Sequence, residues 1–444
     1  QNKQEFKGSF ENLESFLDDI WKKREKSQFF SEEESDRIEV QRFIQFIHKT
    51  HDLKSNKYVG VIHFEGQKIN LLPKIFYEWD REYTPEETSS MQNHILWWLS
   101  YCKKMKFPNY QTSLDSTQSD FFEILIYLFA KYTRELLSNT IYQQYEEVNE
   151  ELSFMKGRLN TDEYITENAA KWNWHKMNCT YDAFVLDNKF NRIVKYVTTL
   201  LFNATSSHEN KKYLREILFI LDEVSDVRAS AEDCLTIQFN PLFGCFETVR
   251  DYCYIFLSNS ISLDYKNNLK LFAFLLPMEY VFEDFVFWFI EKELPDVVAK
   301  NQDTSTHLDT QKNFSIRPDL ILDINGKRTI ADTKYKIIYS DEKDPKQWIS
   351  QNDLYQMMAY AIRYNVSNIK LFYPDTVQHY QEKETEIIVR DELADGRDIT
   401  ITAYQLPIIQ RDLHTRENTK KLFLSELFEE SRVQLRDRLK KILL

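Results

Sequence analysis

A chain of 444 residues with 15% aromatic content and only 7 Gly and 10 Pro has room for two or three domains with full cores. That composition excludes disorder, collagen-like repeats and long linkers. A formal net charge of −13 excludes a global field able to hold DNA, so any DNA contact must be local or borrowed from a basic partner.

Taken in chain order, residues from about Phe10 to Thr50 read as amphipathic helix. Tyr58 to Phe64 and Lys68 to Lys74 read as two strands joined through a Gly-containing turn. Met91 to Lys106 and Phe121 to Leu137 carry apolar residues at helical spacing. The segment from Glu150 to Phe184 reads as two strands of an extended arm with a polar tip. Helices are expected at Asn188 to Leu201 and Lys211 to Asp222, then one long or broken helix from Lys266 to Glu293, interrupted near Pro277. After that the order is hairpin (Ile316 to Tyr339), helix (Gln351 to Asn365), strand (Ile369 to Tyr373) and a closing amphipathic helix (Arg416 to Leu444). Such an order predicts a mixed α+β protein whose C-terminal domain has a central mixed sheet flanked by helices. The expected domains are 1–110, a mixed α/β region; 111–265, a helical region with the β arm at about 150–184; and 266–444.

Several function classes find no support. Cys102, Cys179, Cys234, Cys245 and Cys253 form no Cys-x-x-Cys, and His175, four residues before Cys179, has no second ligand pair for zinc. They read as reduced thiols of a cytoplasmic protein. No membrane span is expected, because the most apolar run, Phe121 to Ala130, is too short and contains Glu123. No Gly-x-x-x-x-Gly-Lys-Ser/Thr occurs among the 7 glycines, so the chain itself is expected to bind no nucleotide.

The informative stretch runs from Ile316-Arg317-Pro318-Asp319 through Asn325-Gly326 to Asp332-Thr333-Lys334-Tyr335-Lys336. Asn-Gly between two strand-like runs favours a two-residue type I′ loop. That loop pairs Ile324 with Lys327, which sets Asp319 opposite Asp332 and puts Lys334 on the same face as Asp332. Two carboxylates facing each other at about 5 Å repel and destabilise a bare hairpin. A divalent cation between them reverses the sign. Carboxylate oxygens favour Mg²⁺ or Mn²⁺ over zinc, with the Thr333 carbonyl completing the coordination. Lys334 would orient a water or stabilise charge on a phosphate. This is the chemistry of a metal-dependent phosphodiesterase; the alternative is an exposed hairpin with a solvated charged face. Pro295-Asp296 and Pro374-Asp375 lack a following Asp/Glu-x-Lys at similar distance.

Three further side chains are candidates. Glu283 sits at the edge of the apolar stripe formed by Phe282, Phe285 and Val286, and is either a third metal-side carboxylate or a solvated helix residue. Gln356 and Tyr360, four apart on a helix, share a face; they contact DNA or order the lysine, or else form a half-buried packing pair. Lys336 belongs to a locally basic stretch and is a candidate DNA contact.

Arg317-Pro318-Asp319, Asp332-Thr333-Lys334-Tyr335-Lys336 and Asp353-Leu354-Tyr355-Gln356-Met357-Met358-Ala359-Tyr360-Ala361 together resemble the McrC family. These are nuclease subunits of McrBC modification-dependent restriction systems, in the PD-(D/E)xK superfamily. Val59-Gly60-Val61-Ile62, Leu72-Pro73-Lys74-Ile75, Lys156-Gly157-Arg158-Leu159 and Asp187-Asn188-Lys189-Phe190-Asn191-Arg192-Ile193 extend the resemblance over most of the chain. It implies a catalytic trio of Asp319, Asp332 and Lys334, Glu283 beside the metal, and Gln356 with Tyr360 as the helix pair. It also implies a McrB-like AAA+ GTPase hexamer as partner, stimulated by a docking finger, and double-stranded DNA carrying modified cytosine as substrate. A double-strand cut needs two nuclease sites, hence a pair of complexes. The arm at 150–184 is the candidate finger, with Lys156 or Arg158 reaching a nucleotide site in trans or serving as plain turn residues. Two other functions fit the same residues: a stand-alone RecB-like nuclease, and a non-catalytic adaptor that stimulates an AAA+ motor.

Overall fold

A computed structural model describes residues 10–23, 44–47, 52–55, 57–64, 67–78, 83–102, 121–266, 269–301, 306–324, 326–337, 349–382, 384–391, 396–411, 413 and 423–444. The chain forms two compact units, Gln1–Ile124 with Asn259–Leu444, and Leu125–Ser258. The N-terminal and C-terminal regions, expected as separate domains, therefore share one unit.

Helix α1 (Phe10–Lys23) matches the start of the helix expected over 10–50, of which residues 24–43 and 48–50 lie outside the described residues. Further on, β1 (Ile44–Ile47) pairs with β2 (Asp52–Ser55) as an antiparallel hairpin instead. The run Ile44-Gln45-Phe46-Ile47 is β-branched and aromatic, which suits a pleated, half-buried surface better than a helix. The expected hairpin of β3 (Tyr58–Phe64) and β4 (Gln67–Leu71) is present, with Phe64 opposite Gln67. A single 3₁₀ turn, Lys74–Phe76, follows. Helix α2 (Pro85–Tyr101) starts at a capping box in which Glu87 N donates to Thr84 Oγ1 at 3.2 Å and Thr84 N donates to Glu87 at 2.9 Å. Helix α3 (Phe121–Asn139) comes next.

In the second unit, β5 (Gln144–Leu152), β6 (Arg158–Leu159) and β7 (Met177–Val185) make a three-stranded arm in the order β5-β7-β6. The arm begins earlier than the expected 150. The stretch Thr161–Lys171, expected as a polar tip, is a run of short helical turns. Helices α4 (Lys189–Ala204), α5 (His208–Ile220) and α6 (Phe246–Asn259) complete the unit. The motif Asp187-Asn188-Lys189-Phe190-Asn191-Arg192 explains itself here. Asn188 caps α4 by accepting from Asn191 N at 3.1 Å, and both asparagine amides donate to the Tyr142 carbonyl, at 3.2 and 2.7 Å. Buried amides must be satisfied, and these two anchor α4 to the base of the arm.

Returning to the first unit, β8 (Ser260–Lys266) precedes β9 (Leu269–Pro277), which occupies the first part of the helix expected over 266–293. Strand β9 pairs antiparallel with β3, giving a sheet of order β4-β3-β9-β8. Helix α1 covers this sheet through Leu13 and Leu17, packed with Tyr58, Ile62, Ala273 and Leu275. Helix α7 (Met278–Glu293) starts at once after Pro277, and Met278 N donates to Lys57 O at 2.9 Å. The remaining strands are β10 (Val297–Asn301), β11 (Leu320–Ile324), β12 (Lys327–Thr333), β13 (Asn368–Pro374), β14 (Thr385–Asp391) and β15 (Arg397–Leu406). They form one sheet of order β10-β11-β12-β13-β15-β14, with β12–β13 and β13–β15 parallel and the rest antiparallel. Strands β14 and β15 extend the sheet beyond the strand expected at 369–373.

Helix α8 (Gln351–Tyr364) is the crossover between parallel β12 and β13 and buries Met357, Tyr360 and Ala361 against Ile330, Ile369, Leu371, Ile399 and Ile401. Helix α9 (Glu429–Leu443) covers the alternate side chains of the same strands, with Lys370 Nζ donating to Ile442 O at 2.9 Å. Part of the expected closing helix, residues 416–422, lies outside the described residues. In sheets with parallel strands and helices on both faces, ligands bind beyond the carboxyl ends of the strands. Here that edge carries Asp332 and Lys334.

Candidate active site

The register follows the turn. Ile324 pairs with Lys327 and Leu320 with Ala331, so Asp319 and Asp332 face each other one position past the last paired residues. Asp319 Oδ2 accepts from both Thr333 N and Thr333 Oγ1, each at 2.7 Å. Thr333 thus fixes the first carboxylate through its hydroxyl and its amide.

Asp332 is fully buried. Lys334 Nζ lies 2.5 Å from its Oδ2 as an ion pair, and Asp332 Oδ1 has no hydrogen-bond partner among the described residues. Burial first, then the charge of Asp319, push the Asp332 carboxyl up to about 7, against the pull of Lys334. Asp319 is also raised, chiefly by burial. Burial works against the Lys334 charge, but Asp332 and Asp319 outweigh it and hold the ammonium protonated.

Lys334 is further held from α8. Its Nζ donates to Gln356 Oε1 at 3.0 Å, Gln356 Nε2 donates to Tyr360 OH at 2.7 Å, and Tyr360 OH donates to Arg317 O at 2.9 Å. The last bond closes a ring, since Arg317 leads into Asp319. Of the two readings of Gln356 and Tyr360, this geometry favours ordering the lysine. Lys336 has a partner that sequence reasoning did not foresee: its ammonium lies 2.6 Å from Asp353 Oδ2 and ties the end of β12 to the first turn of α8.

An acidic residue on α7 that acts on Asp319 is Glu279, one turn before Glu283. It is paired with Lys57 at 2.7 Å. Glu283 is half-buried on the same helix. The i, i+4 spacing of the two glutamates was the available signal. The other Pro-Asp dipeptides have no part in the pair. Asp296 is an exposed turn residue, and buried Asp375 accepts from Ile408 N at 2.9 Å and meets Arg411 at 2.8 Å.

A hard divalent cation suits this donor set. The carboxylate pair is all oxygen, its burial is costly when charged, and Oδ1 of Asp332 has no hydrogen-bond partner among the described residues. Among the described residues no group of three or more His, Cys, Asp and Glu is gathered to hold a metal. Two carboxylates, waters and a phosphate are the usual Mg²⁺ environment, whereas zinc and calcium ask for more protein ligands.

On the arm, Lys156 Nζ sits 3.7 Å from the centre of the Tyr181 ring, and the Arg158 guanidinium approaches Glu147 at 3.9 Å. Arg158 pairs across from Thr180 in mid-arm. The region beyond the strand ends exposes Phe154, Met155, Trp172 and Trp174.

Fold and site together define a mixed α+β protein that places an Asp–Asp–Lys constellation at the carboxyl edge of a central sheet. The model of the McrBC family, the McrBC 5-methylcytosine restriction system component, matches residues 53–374. The chain belongs to that family. Over 97% of its length it is similar to 93% of a chain in the half-complex from the tetradecameric assembly of Thermococcus gammatolerans McrB AAA+ hexamers with bound McrC, at 18% identity and a TM-score of 0.63. A chain of the Thermococcus gammatolerans McrBC complex solved by cryo-EM matches 66% of this chain with 85% of its own length, at 19% identity and a TM-score of 0.49. At this identity the first match speaks for the fold. The curated proteins contain no match. Among the described residues no helix is long and apolar enough to cross a membrane.

Proposed function

We propose that this chain is the DNA-cutting subunit of a modification-dependent restriction system and works with an AAA+ GTPase ring of the McrB type. The observation that carries the reading is the buried Asp332, facing Asp319 and paired through Oδ2 with Lys334, with Oδ1 left without a hydrogen-bond partner among the described residues. Asp319 and Asp332 would hold Mg²⁺ or Mn²⁺. The bound ion supplies Lewis-acid polarisation of the scissile phosphate and a water of lowered pKa. Thr333 fixes the orientation of Asp319. Lys334, protonated and clamped by Gln356, presents a fixed positive charge where negative charge grows on the phosphate. Asp353 and Lys336 hold α8 in register so that the clamp stays in place.

The arm is the proposed docking element toward the ring. Its end carries exposed aromatic and Met side chains, which suit insertion into a partner. The cleavage test uses methylcytosine-containing duplex, Mg²⁺ and GTP, with the chain alone and with its ring partner. Cutting is expected only with the partner. Efficient cutting of DNA ends by the chain alone would favour a RecB-like nuclease instead.

The clamp gives a separate expectation. Gln356→Ala frees Lys334 while leaving the pair intact, so cleavage should slow by roughly 10–100-fold, as for other residues that orient a site from behind. Melting temperature should stay within a degree or two. An unchanged rate would mean that Gln356 merely packs.

A further inference from the structure

We propose that Lys74, contributed by the N-terminal sheet, binds a backbone phosphate of the DNA strand lying in the candidate active site. The inference rests on the nuclease reading above and adds a contact from a distant part of the chain. Lys74 opens the 3₁₀ turn after β4, and the turn is held rigidly. Ile75 and Phe76 are buried, Val377 N donates to Ile75 O at 3.2 Å, Tyr83 OH donates to Phe76 O at 2.7 Å, and the Phe76 ring meets His94 and Trp98. The turn sets Lys74 Nζ 5.0 Å from the centre of the Tyr335 ring, next in sequence to Lys334.

The other lysines nearby each have a carboxylate partner. Lys57 pairs with Glu279, Lys334 with Asp332 and Lys336 with Asp353. Among the described residues no carboxylate or hydrogen-bond acceptor holds the Lys74 ammonium. Glu279 acts electrostatically on both Lys74 and Asp319. Burial is the main cause that lowers Lys74 to about 8, with Lys57 and Lys336 adding to it. A half-buried cation with no anion in direct contact is costly to keep, and a phosphate would relieve that cost. In a chain of net charge −13, DNA affinity must come from such local contacts.

The test uses full-length chain assembled with its ring partner, in an Asp332→Asn background that does not cut. Binding of a short fluorescein-labelled duplex is followed by anisotropy across a salt series. Lys74→Met should weaken binding uniformly across sequences and reduce the slope of log K against log salt by about 1, while Lys74→Arg restores it. A second measurement avoids substitution: limited acetylation read by mass spectrometry, where the duplex should protect Lys74 and GTP or inorganic phosphate should not. An unchanged salt slope, no binding at low salt, or acetylation indifferent to the duplex overturns the proposal. Protection by GTP alone also overturns it, since the phosphate would then be a nucleotide's. If instead Asp332→Ala chain still cuts DNA, the active-site reading fails, and the salt slope and protection still report on Lys74 by themselves.

Discussion

Replacing Asp332 with asparagine is expected to abolish DNA cleavage and, at the same time, to stabilise the metal-free chain. The two effects have one cause. Asp332 is fully buried and faces a second carboxylate, and its Oδ1 has no hydrogen-bond partner among the described residues. Relief comes from Lys334, 2.5 Å from Oδ2. If that ion pair dominated, the carboxyl would titrate below its ordinary 3.8; it is pushed up to about 7, so burial and Asp319 win. Asparagine keeps the shape and removes the charge. Cleavage should fall by at least about 10³-fold, the scale of several kcal/mol of lost charge stabilisation. The apo melting temperature at pH 8 should rise by a few degrees. Assembly with the ring and GTP hydrolysis should persist. A variant that still cuts at the normal rate would remove the hairpin from the chemistry.

The sign with pH follows from linkage. Because the folded pKa of Asp332 lies above its unfolded value, the folded chain holds more protons between about 4 and 7. The contribution of this group is therefore complete below about pH 4 and is lost as pH rises through 7. In the presence of EDTA, the gap in melting temperature between Asp332→Asn and the parent should be small at pH 5 and wide at pH 8. Mg²⁺ takes the ionised pair, so it should raise the parent's melting temperature at pH 8, do little at pH 5 and do nothing for the variant. A Mg²⁺ response equal in the two proteins would place the ion elsewhere.

What was legible in the sequence depended on local geometry. The Asn-Gly turn, with Gly326 at φ 77°, dictates the hairpin register, and register alone places Asp319 opposite Asp332. The Gln356–Tyr360 face followed from helical spacing in the same way. Long-range pairing was not legible. Leu269 to Pro277 is a nearly continuous apolar run without a period that separates strand from buried helix. Its identity as β9 comes from β3, far away in sequence. Strand β5 was missed because Gln-Tyr-Glu-Glu-Val-Asn-Glu-Glu-Leu lacks apolar alternation and is rich in residues that strands avoid. Cross-strand contacts hold it instead: Tyr145 against Phe184 at 4.9 Å, Tyr181 OH donating to Glu150 at 2.6 Å, and Lys176 to Glu151 at 2.6 Å. Glu279 and Lys74 were missed because their roles exist only once the N-terminal sheet and α7 meet.

That meeting has a weak point at Gly60, and Gly60→Ala should break it. Gly60 lies in β3 at φ 147°, a backbone state that side chains rarely accept, and is flanked by Leu71 of β4 and Leu275 of β9. A Cβ there would fall 1.9 Å from the Phe274 carbonyl oxygen and 2.9 Å from its carbon, backbone atoms that cannot rotate away. Either β9 separates from β3 or β3 changes conformation. Both outcomes lose sheet hydrogen bonds and the packing of Tyr58, Ile62, Ala273 and Leu275. The expected cost is about 3 kcal/mol or more, a large part of a typical domain's stability. The same strand also sets the position of Lys57, whose carbonyl receives the first amide of α7 and whose ammonium holds Glu279. A chain that survives the substitution should therefore lose activity out of proportion to its distance from the carboxylates, with protection of Lys74 by DNA lost as well. Thermal melting and cleavage measured on the same preparation separate the two effects. A soluble variant with the parent's melting temperature would show that β3 tolerates a side chain at this position and that the close approach to β9 is not required.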